Sequence, residues 1–327
     1  MTRFGGENLS QALPYRIRSL DSDADLDDLS QSKVVTMGNV IEVTTMKKPP
    51  VSPPVRKVDA DHYVDLRDGA VYEYEHIENR SQSLQSIRRT LARIRALVNT
   101  NVTDASRCRW VTLTYKDNMT DPARLYQDFR TFWMRFKRWC SGSGYAVPEY
   151  ISVVEPQGRG AWHVHAFFIW SNTAPFVDNN GVVARLWRNG FTTTKALSDV
   201  DNVGAYFSAY LADMPLDEYQ ALPDRDQIQT LAGDLQVEEK DFTNAEDLTL
   251  KKKFVKGGRL YLYPPGMNIV RKSKGIADPV VEHMSYSEAK EKASSGKLTF
   301  SRSYEVLSSA GDVANVVRKD YYNTKRK

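Results

Sequence analysis

Two histidines two residues apart, with a carboxylate upstream, are the side chains best placed to do chemistry. His163 and His165 lie in an apolar run, and Glu155 precedes them across a glycine-containing turn. Residues 150–155 and 162–170 are predicted to be the two strands of a hairpin, and strand alternation then puts both imidazoles on one face. Pairing Glu155 opposite His163 adds the carboxylate to that face, whereas a slip of one residue would remove it. This donor set can hold a divalent ion and leave coordination positions open.

The chemistry of such a centre depends on the ion and on the nucleophile. Mixed nitrogen and oxygen ligation suits several metals, and Mg²⁺ or Mn²⁺ would be the working ion if the substrate is DNA. Tyr206 and Tyr210 are four residues apart in a helix predicted over 202–212, so they share one face. A phenol has a pKa of about 10 and needs nearby positive charge to become a nucleophile. The pattern suggests tyrosine attack on a phosphodiester, although aromatic packing would also explain the spacing.

The elements around these residues have to position them. Residues 109–115 are β-branched and aromatic and are predicted to form a central strand. Asp121 and Pro122 then begin a helix whose apolar face continues to Cys140. The further predicted elements are a short helix over 182–188, a strand over 191–194, a strand over 298–306 and a short helix over 312–319.

Basic residues occur in two stretches that could contact DNA. Residues 80–99 have an apolar residue every three or four positions and are predicted to form an amphipathic basic helix, with Arg88 and Arg89 as phosphate contacts. Residues 251–274 interleave basic and aromatic side chains, as a surface that follows a nucleic-acid strand would. The predicted DNA contacts in this second stretch are Lys251, Lys252, Lys253, Lys256 and Arg259. Solvated surface charge is the alternative explanation for the basic helix.

Composition describes a globular chain with appendages. The 327 residues carry a net charge of +4 and are 41% hydrophobic, which is compatible with nucleic-acid binding but does not demand it. The two cysteines, Cys108 and Cys140, fit a reducing compartment. We find neither an apolar run of roughly 20 residues nor the apolar core of a signal peptide. We therefore expect a soluble cytoplasmic protein that does not associate with membranes.

Composition also divides the chain. Residues 1–60 are polar, acidic and proline-rich and are predicted to be a flexible arm. A region with the basic amphipathic helix covers 61–104, and a core domain covers 105–275 with an acidic insertion at 216–250. A C-terminal extension covers 276–327. The sequence contains no Gly-x-x-x-x-Gly-Lys-Ser/Thr motif, so nothing indicates a Walker-type ATPase.

Three motifs, taken in order, resemble the HUH endonuclease superfamily, specifically the replication initiators of rolling-circle plasmids and single-stranded DNA phages. Residues 111–115 resemble the strand of the first motif, and residues 162–166 match the histidine motif. Tyr206 and Tyr210 match the third motif in its two-tyrosine form. The resemblance covers roughly residues 109–213, about a third of the chain.

This resemblance implies an α+β fold with a central antiparallel sheet and flanking helices, similar to ferredoxin-like and RNA-recognition domains. It implies that residues 105–275 nick one DNA strand at an origin, form a 5′-phosphotyrosine link and leave a 3′-OH that primes rolling-circle replication. The interval from Glu155 to His163 resembles that of related viral initiators, in which a carboxylate completes the metal site. The expected partners are single-stranded origin DNA and a host helicase and polymerase.

The sequence departs from the family at one charge. The family often places a lysine beside its tyrosines, at positions that Ala209 and Asp213 occupy here. We expect Lys195, the lysines at 251–253 or Lys256 to supply that charge. Tyr206 is expected to cut first.

Three other interpretations stay open. A mobilisation relaxase or single-strand transposase would use the same chemistry, but relaxases usually carry a third histidine where residues 166–168 lie, and small transposases are much shorter. A non-catalytic origin-binding regulator would keep the fold and the basic residues without using the tyrosines. A metallohydrolase that uses water would cleave DNA without a covalent protein–DNA species.

Overall fold

The chain forms two compact units. The structure is a computed structural model that describes residues 16–49, 55–59, 61–73, 84–157, 160–197, 201–222, 237–243, 249–255, 258–264, 267–308 and 311–326. Both chain ends build one unit, Met1–Ile77 with Pro279–Lys327, which we call the terminal unit. The other, Glu78–Asp278, is the middle unit.

The described elements are numbered in chain order. The strands are β1 (Arg16–Ser19), β2 (Gln31–Met37), β3 (Val40–Met46), β4 (Val55–Lys57), β5 (His62–Asp65), β6 (Val71–Glu73), β7 (Cys108–Thr114), β8 (Glu149–Pro156), β9 (Trp162–Ile169), β10 (Thr192–Ala196), β11 (Met214–Pro215), β12 (Val237–Thr243), β13 (Thr249–Val255), β14 (Val270–Lys272), β15 (Val280–Ser285), β16 (Lys297–Leu307) and β17 (Val313–Asn323). The helices are α1 (Leu84–Asn101), α2 (Pro122–Gly142), α3 (Arg185–Trp187), α4 (Val203–Ala212), α5 (Leu216–Gln220) and α6 (Tyr286–Ala293). Short helical turns of other types cover Ala105–Arg107, Asn179–Ala184 and Gly258–Leu262.

The middle unit is built on a five-stranded antiparallel sheet. Its strand order is β10-β7-β9-β8-β14, so β9 is the central strand and pairs with both β7 and β8. Strand β9 is buried along most of its length, which is why its sequence is apolar on both faces. Helices flank this sheet, and the predicted α+β class is confirmed.

Helix α2 covers one face of the sheet. Asp121 caps it by accepting a hydrogen bond from the Ala123 backbone N–H at 2.8 Å, and Pro122 occupies the first turn. Its apolar residues recur at helical spacing and are buried. Phe136 stacks on Phe168 of β9, with ring centroids 4.7 Å apart. The predicted helix start at Asp121-Pro122 is confirmed.

Helix α4 lies on the opposite face and is fixed by α1. Phe207 of α4 meets Phe167 of β9 edge to face, with centroids 4.9 Å apart. The Gly204 backbone N–H donates to the Asn99 side-chain oxygen of α1 at 2.8 Å. A Cβ atom at Gly204 would lie 2.4 Å from the Arg95 backbone oxygen. Glycine at this position therefore allows the two helices to approach closely.

A smaller sheet follows α4. Strands β11, β13 and β12 pair in that order. The insertion predicted over 216–250 as helix or loop contains α5, β12 and the first residues of β13. Its residues 223–236 and 244–248 lie outside the described part of the chain.

The terminal unit contains a six-stranded antiparallel sheet with the order β1-β16-β17-β3-β2-β15. Strands from the two ends of the chain are thus hydrogen-bonded to each other. Helix α6 packs on one face, where Ala289 and Ala293 contact Val34, Ile41 and Val43. Strands β4, β5 and β6 form a separate three-stranded sheet.

The structure corrects two expectations about the chain ends. Residues 16–49, part of the predicted flexible arm 1–60, contain β1, β2 and β3. The sequence did not predict these strands because aspartates at 21–28 and prolines at 49–54 dominate the local composition. Strands β16, β15 and β17, which pair with β1, β2 and β3, lie far along the chain. The helix predicted over 312–319 is instead strand β17, because its valines pair with β16 and β3. The arm also contains β4, and its residues 1–15, 50–54 and 60 lie outside the described residues.

Within the described residues, the helices lack the combination of length and apolar character that crossing a membrane requires.

The close approach of α1 and α4 predicts the effect of one substitution. Gly204→Ala should lower the free energy of unfolding of the middle unit by about 1–3 kcal/mol, because the added methyl group meets the α1 backbone. All six tryptophans lie between residues 110 and 187, so denaturant unfolding followed by tryptophan fluorescence reports on this unit. Gly142→Ala is the matched control, since its Cβ would meet open space. Equal effects of the two substitutions would contradict this account.

Candidate functional site

The β8–β9 hairpin sets the positions of the three chemical side chains. Glu155 pairs with His163, and Pro156 pairs with Trp162, which is the register predicted from the sequence. The turn closes with a hydrogen bond from the Gln157 backbone N–H to the Ala161 carbonyl at 2.8 Å. This pairing brings the carboxylate and both imidazoles to one face of the sheet.

The three side chains converge closely enough to share an ion. One ligand atom each from Glu155, His163 and His165 lies within 4.8 Å of the others. Glu155 and His165 are 2% and 1% exposed, and His163 is half-buried. His165 Nε2 lies 2.5 Å from a Glu155 carboxylate oxygen. These nitrogen and oxygen donors, shielded from water on one side, fit a divalent cation.

The environment of His165 fixes its ring. The Thr112 hydroxyl of β7 lies 3.1 Å from His165 Nδ1. Because a hydroxyl can donate or accept, Thr112 satisfies Nδ1 in either tautomer and leaves Nε2 directed at the carboxylate. Trp110 and Phe207 contact the imidazole edgewise, with centroids 6.0 and 5.8 Å away. These contacts, together with the Glu155 carboxylate at Nε2, hold the ring in place.

Glu155 stays ionised despite its burial. Burial acts to raise the pKa of this carboxyl, but the hydrogen bond with His165 and the electrostatic interactions with His165 and Arg259 outweigh it. The resulting pKa lies below the usual value for glutamate. A carboxylate held in the charged form is the form that binds a cation.

Arg259 holds the outer oxygen of the same carboxylate. Its Nε lies 3.0 Å from Glu155 Oε1, while His165 faces Oε2. The guanidinium also donates to the Asp213 and Pro156 carbonyls, both at 3.0 Å, and to Glu218 at 2.9 Å. Arg259 thus ties the end of β8, the residue after α4 and helix α5 to one point.

Helix α4 lies over the face that carries the histidines. Val203, Phe207 and Leu211, spaced four residues apart, are buried and form its inner face. Tyr206 and Tyr210 occupy the positions immediately before Phe207 and Leu211, so both positions lie on one flank of the helix. The side chains of these two tyrosines are outside the described part of the structure.

The predicted DNA contacts fall into different settings. Arg259 is buried within the protein and is not on the exposed basic surface that the sequence suggested. Arg89 on α1 and Lys253 on β13 are exposed. The backbones of Arg88, Lys251 and Lys252 lie in α1 and β13, but their side chains are not described, and Lys256 lies outside the described residues.

Sequence reasoning missed three contributors to this site. Thr112 could have been found by extending the strand register from His165 to β7, since the two residues are cross-strand partners. Glu218 and the inward orientation of Arg259 gave no such signal, because their contacts join segments far apart in sequence. Phe207 was overlooked between the two tyrosines, although Val203, Phe207 and Leu211 follow a helical period.

The fold and site together describe an α+β unit with a histidine–carboxylate cluster beneath a tyrosine-bearing helix. Residues 108–215 match the profile of a family described as replication-associated protein ORF2. This segment runs from β7 to β11 and includes the candidate metal ligands and α4. Comparisons with curated proteins and with solved structures give no match. The similarity covers about a third of the chain and is consistent with a role in the initiation of DNA replication.

Binding of Mn²⁺ should depend on this cluster. His165→Ala is expected to weaken Mn²⁺ binding at least about tenfold in isothermal titration, because one of three ligands is removed. Thr112→Val should weaken Mn²⁺ binding about tenfold, because the imidazole of His165 would lose the contact that holds it in one orientation. His62→Ala is the control. His62 is exposed, is hydrogen-bonded to Asp59 and lies in the separate sheet of β4, β5 and β6. The assignment would be wrong if all three variants bound Mn²⁺ as the unmodified chain does.

Removing the buried guanidinium should be costly at neutral pH. Arg259→Met is expected to lower the free energy of unfolding by about 3–5 kcal/mol, because Glu155 and Glu218 lose their cationic partner. Arg124→Met should cost less than about 1 kcal/mol, because Arg124 is exposed and 3.6 Å from Asp128.

The pH dependence of this difference has a defined sign. A lowered pKa stabilises the fold above the ordinary glutamate value of 4.5, and this stabilisation is lost as the pH falls through the lowered pKa. The gap between Arg259→Met and the unmodified chain should therefore narrow in acid. A gap that stays constant from pH 7 to acid would show that the charge of Glu155 is not what Arg259 stabilises.

Proposed function

We propose that this protein is a replication initiator that nicks one DNA strand by tyrosine transesterification. The observation that carries the proposal is the position of α4: Phe207 seats the tyrosine-bearing helix on the imidazole of His165. The similarity of residues 108–215 to replication-associated proteins supports the same conclusion. Mg²⁺ or Mn²⁺ is the proposed cofactor, and bound to Glu155, His163 and His165 it would supply positive charge to the phosphate oxygens.

The proposed reaction exchanges one phosphodiester bond for another. The oxygen of Tyr206 forms a bond to phosphorus and loses its proton to solvent, and the bond from phosphorus to the 3′ oxygen breaks. The 3′ oxygen takes up a proton to become the 3′-OH primer, and the 5′ end stays attached to the tyrosine. Tyr210 would carry out the second transfer, and Tyr206 is proposed to act first.

Lys195 is the best-placed candidate for the charge that the tyrosine motif lacks. It is exposed on β10 and is the cross-strand partner of Trp110 on β7. Cross-strand partners share a face, so Lys195 lies on the side of the sheet that carries His165 and α4. A cation there would favour the ionised phenol. Lys253 belongs to the separate β11-β13-β12 sheet.

A basic cavity beyond the end of β7 offers a path for the DNA strand. It measures about 740 Å³, and its lining includes Lys116, Arg124 and Arg188 together with Asp117. Phe191, which is 68% exposed, also lines it and could stack on a base. The cavity lies beyond Thr114, the last residue of β7 and the cross-strand partner of His163.

The partners follow from this chemistry. Single-stranded origin DNA is the substrate, and a host helicase and polymerase would open and copy the strand after nicking. A relaxase or transposase-type strand transfer would use the same residues with a different second acceptor. A binding regulator would use the basic residues alone.

Nicking should require the two tyrosines. Single-stranded oligonucleotides that together cover the protein's own replicon are incubated with the protein and Mn²⁺. The products are then resolved on a denaturing gel. We expect a metal-dependent covalent adduct that Tyr206→Phe with Tyr210→Phe abolishes and that Tyr145→Phe, at an exposed tyrosine outside the site, leaves intact. Loss of at least about a hundredfold in rate is expected, since the phenol oxygen is the attacking atom.

Other outcomes of the same gel would replace the proposal. Cleavage without an adduct would indicate that water is the nucleophile, as in a metallohydrolase. Binding to the oligonucleotides without any cleavage would indicate an origin-binding regulator. Single Tyr206→Phe and Tyr210→Phe variants decide which tyrosine cuts first.

A further inference from the structure

The six-stranded sheet of the terminal unit has one covered face and one exposed face. On the covered face, Val34, Val43 and Asp320 are almost completely buried beside α6. Side chains alternate along each strand, so the neighbours of these residues point to the other side. There, Lys33 and Arg302 are exposed. Around Lys33 and Arg302 the sheet therefore presents a solvent-facing surface, while Met37, Val40 and Val317 on the same side are buried.

Four of the five members of one cross-strand row on this exposed face are basic residues. The cross-strand partners run His283, Lys33, Thr44, Lys319 and Arg302, from β15 through β2, β3 and β17 to β16. Neighbouring strands are about 4.8 Å apart, so the row is about 19 Å long. A line of basic side chains suits a polyanion, and we call this line the basic row.

Aromatic side chains flank the basic row on both sides. Phe300 and Tyr321 are cross-strand partners on one side, and their rings contact each other with centroids 5.9 Å apart. Tyr304, two residues beyond Arg302 on β16, lies on the other side. Phe300 is 53% exposed, so its ring is accessible to a ligand. Aromatic faces beside a line of cations suit a nucleic-acid strand with unpaired bases.

The acidic content of this surface is small and already paired. Glu42, the partner of Tyr321 across β17 and β3, binds Lys319 Nζ at 2.6 Å. Arg302 donates to the Ser19 hydroxyl at 2.8 Å, which holds its guanidinium against the sheet. Lys33 and Arg302 therefore present their charges at separate points of the row, and Phe300 lies beside them.

We infer that the exposed face of the terminal sheet binds single-stranded DNA, with phosphates along the basic row and bases stacked on Phe300 and its aromatic neighbours. The choice of DNA over RNA rests on the proposed function. The match between this surface and a single strand of nucleic acid does not depend on the proposed function. This site would be separate from the histidine cluster, since it lies in the other unit. It would let the protein hold a strand independently of cutting it.

The test measures binding of the full chain to a fluorescein-labelled oligo(dT) of about 20 nucleotides by anisotropy, with EDTA present so that metal-dependent cleavage is absent. Lys33→Ala with Arg302→Ala should weaken binding at least about tenfold. The slope of log affinity against log salt should fall by about 0.7 for each phosphate that the variant no longer neutralises. Phe300→Leu, which keeps apolar area but not the ring, should weaken binding about five- to a hundredfold.

The matched control is Lys290→Ala with Lys292→Ala, which removes the same charge from α6 on the covered side of the sheet. It should leave affinity within about twofold. Equal losses of affinity in the two double variants, or no loss in either, would overturn the inference, because net charge rather than the row would then govern binding. Near-UV circular dichroism establishes that each variant keeps its fold.

Two further measurements separate this inference from the proposed function. Oligo(U) of the same length that binds as tightly as oligo(dT) would overturn the assignment to DNA. Nicking of a saturating oligonucleotide should be unchanged in Lys33→Ala with Arg302→Ala. If nicking is never observed but the basic-row variants still bind more weakly, the proposed function fails and the binding surface stands.

Discussion

Glu155 places a carboxylate in the interior of the middle unit, where an unpaired charge would cost several kcal/mol. The protein meets this constraint from two sides, because His165 contacts one oxygen and Arg259 contacts the other. Arg259 in turn connects Pro156, Asp213 and Glu218. Through Arg259, this one buried charge is thus connected to the end of β8, to the residue after α4 and to α5.

The same arrangement explains why α4 is placed where it is. Arg259 donates a hydrogen bond to the carbonyl of Asp213, the residue that follows α4. At the other end, Asn99 of α1 accepts a hydrogen bond from Gly204 in the first turn of α4. Phe207 fills the space between these two anchors on the imidazole side. A helix held at both ends and packed at its centre has little freedom to rotate, so the flank that carries positions 206 and 210 keeps a fixed relation to the histidines.

Local pattern was enough to predict much of the middle unit. Strand alternation and a hairpin turn indicate that Glu155 opposes His163, because register follows from neighbouring residues. The start of α2 is equally local, since an aspartate cap and a first-turn proline mark it. The roles of Arg259 and Glu218 could not be predicted in this way. A lysine- and arginine-rich run has the same appearance whether its members face solvent or, as Arg259 does, a buried carboxylate.

The terminal sheet could not be predicted from local sequence for a different reason. Strand β3 pairs with β17, and β2 pairs with β15, across the whole intervening sequence. That connectivity makes the middle unit an insertion within the terminal one. During synthesis from the N-terminus, the middle unit can fold while the β2–β3 hairpin still lacks its outer partners β15 and β17. Until β15–β17 emerge, the unpaired edges of that early hairpin are open to other chains, so the order of translation sets when the protein is most exposed to aggregation.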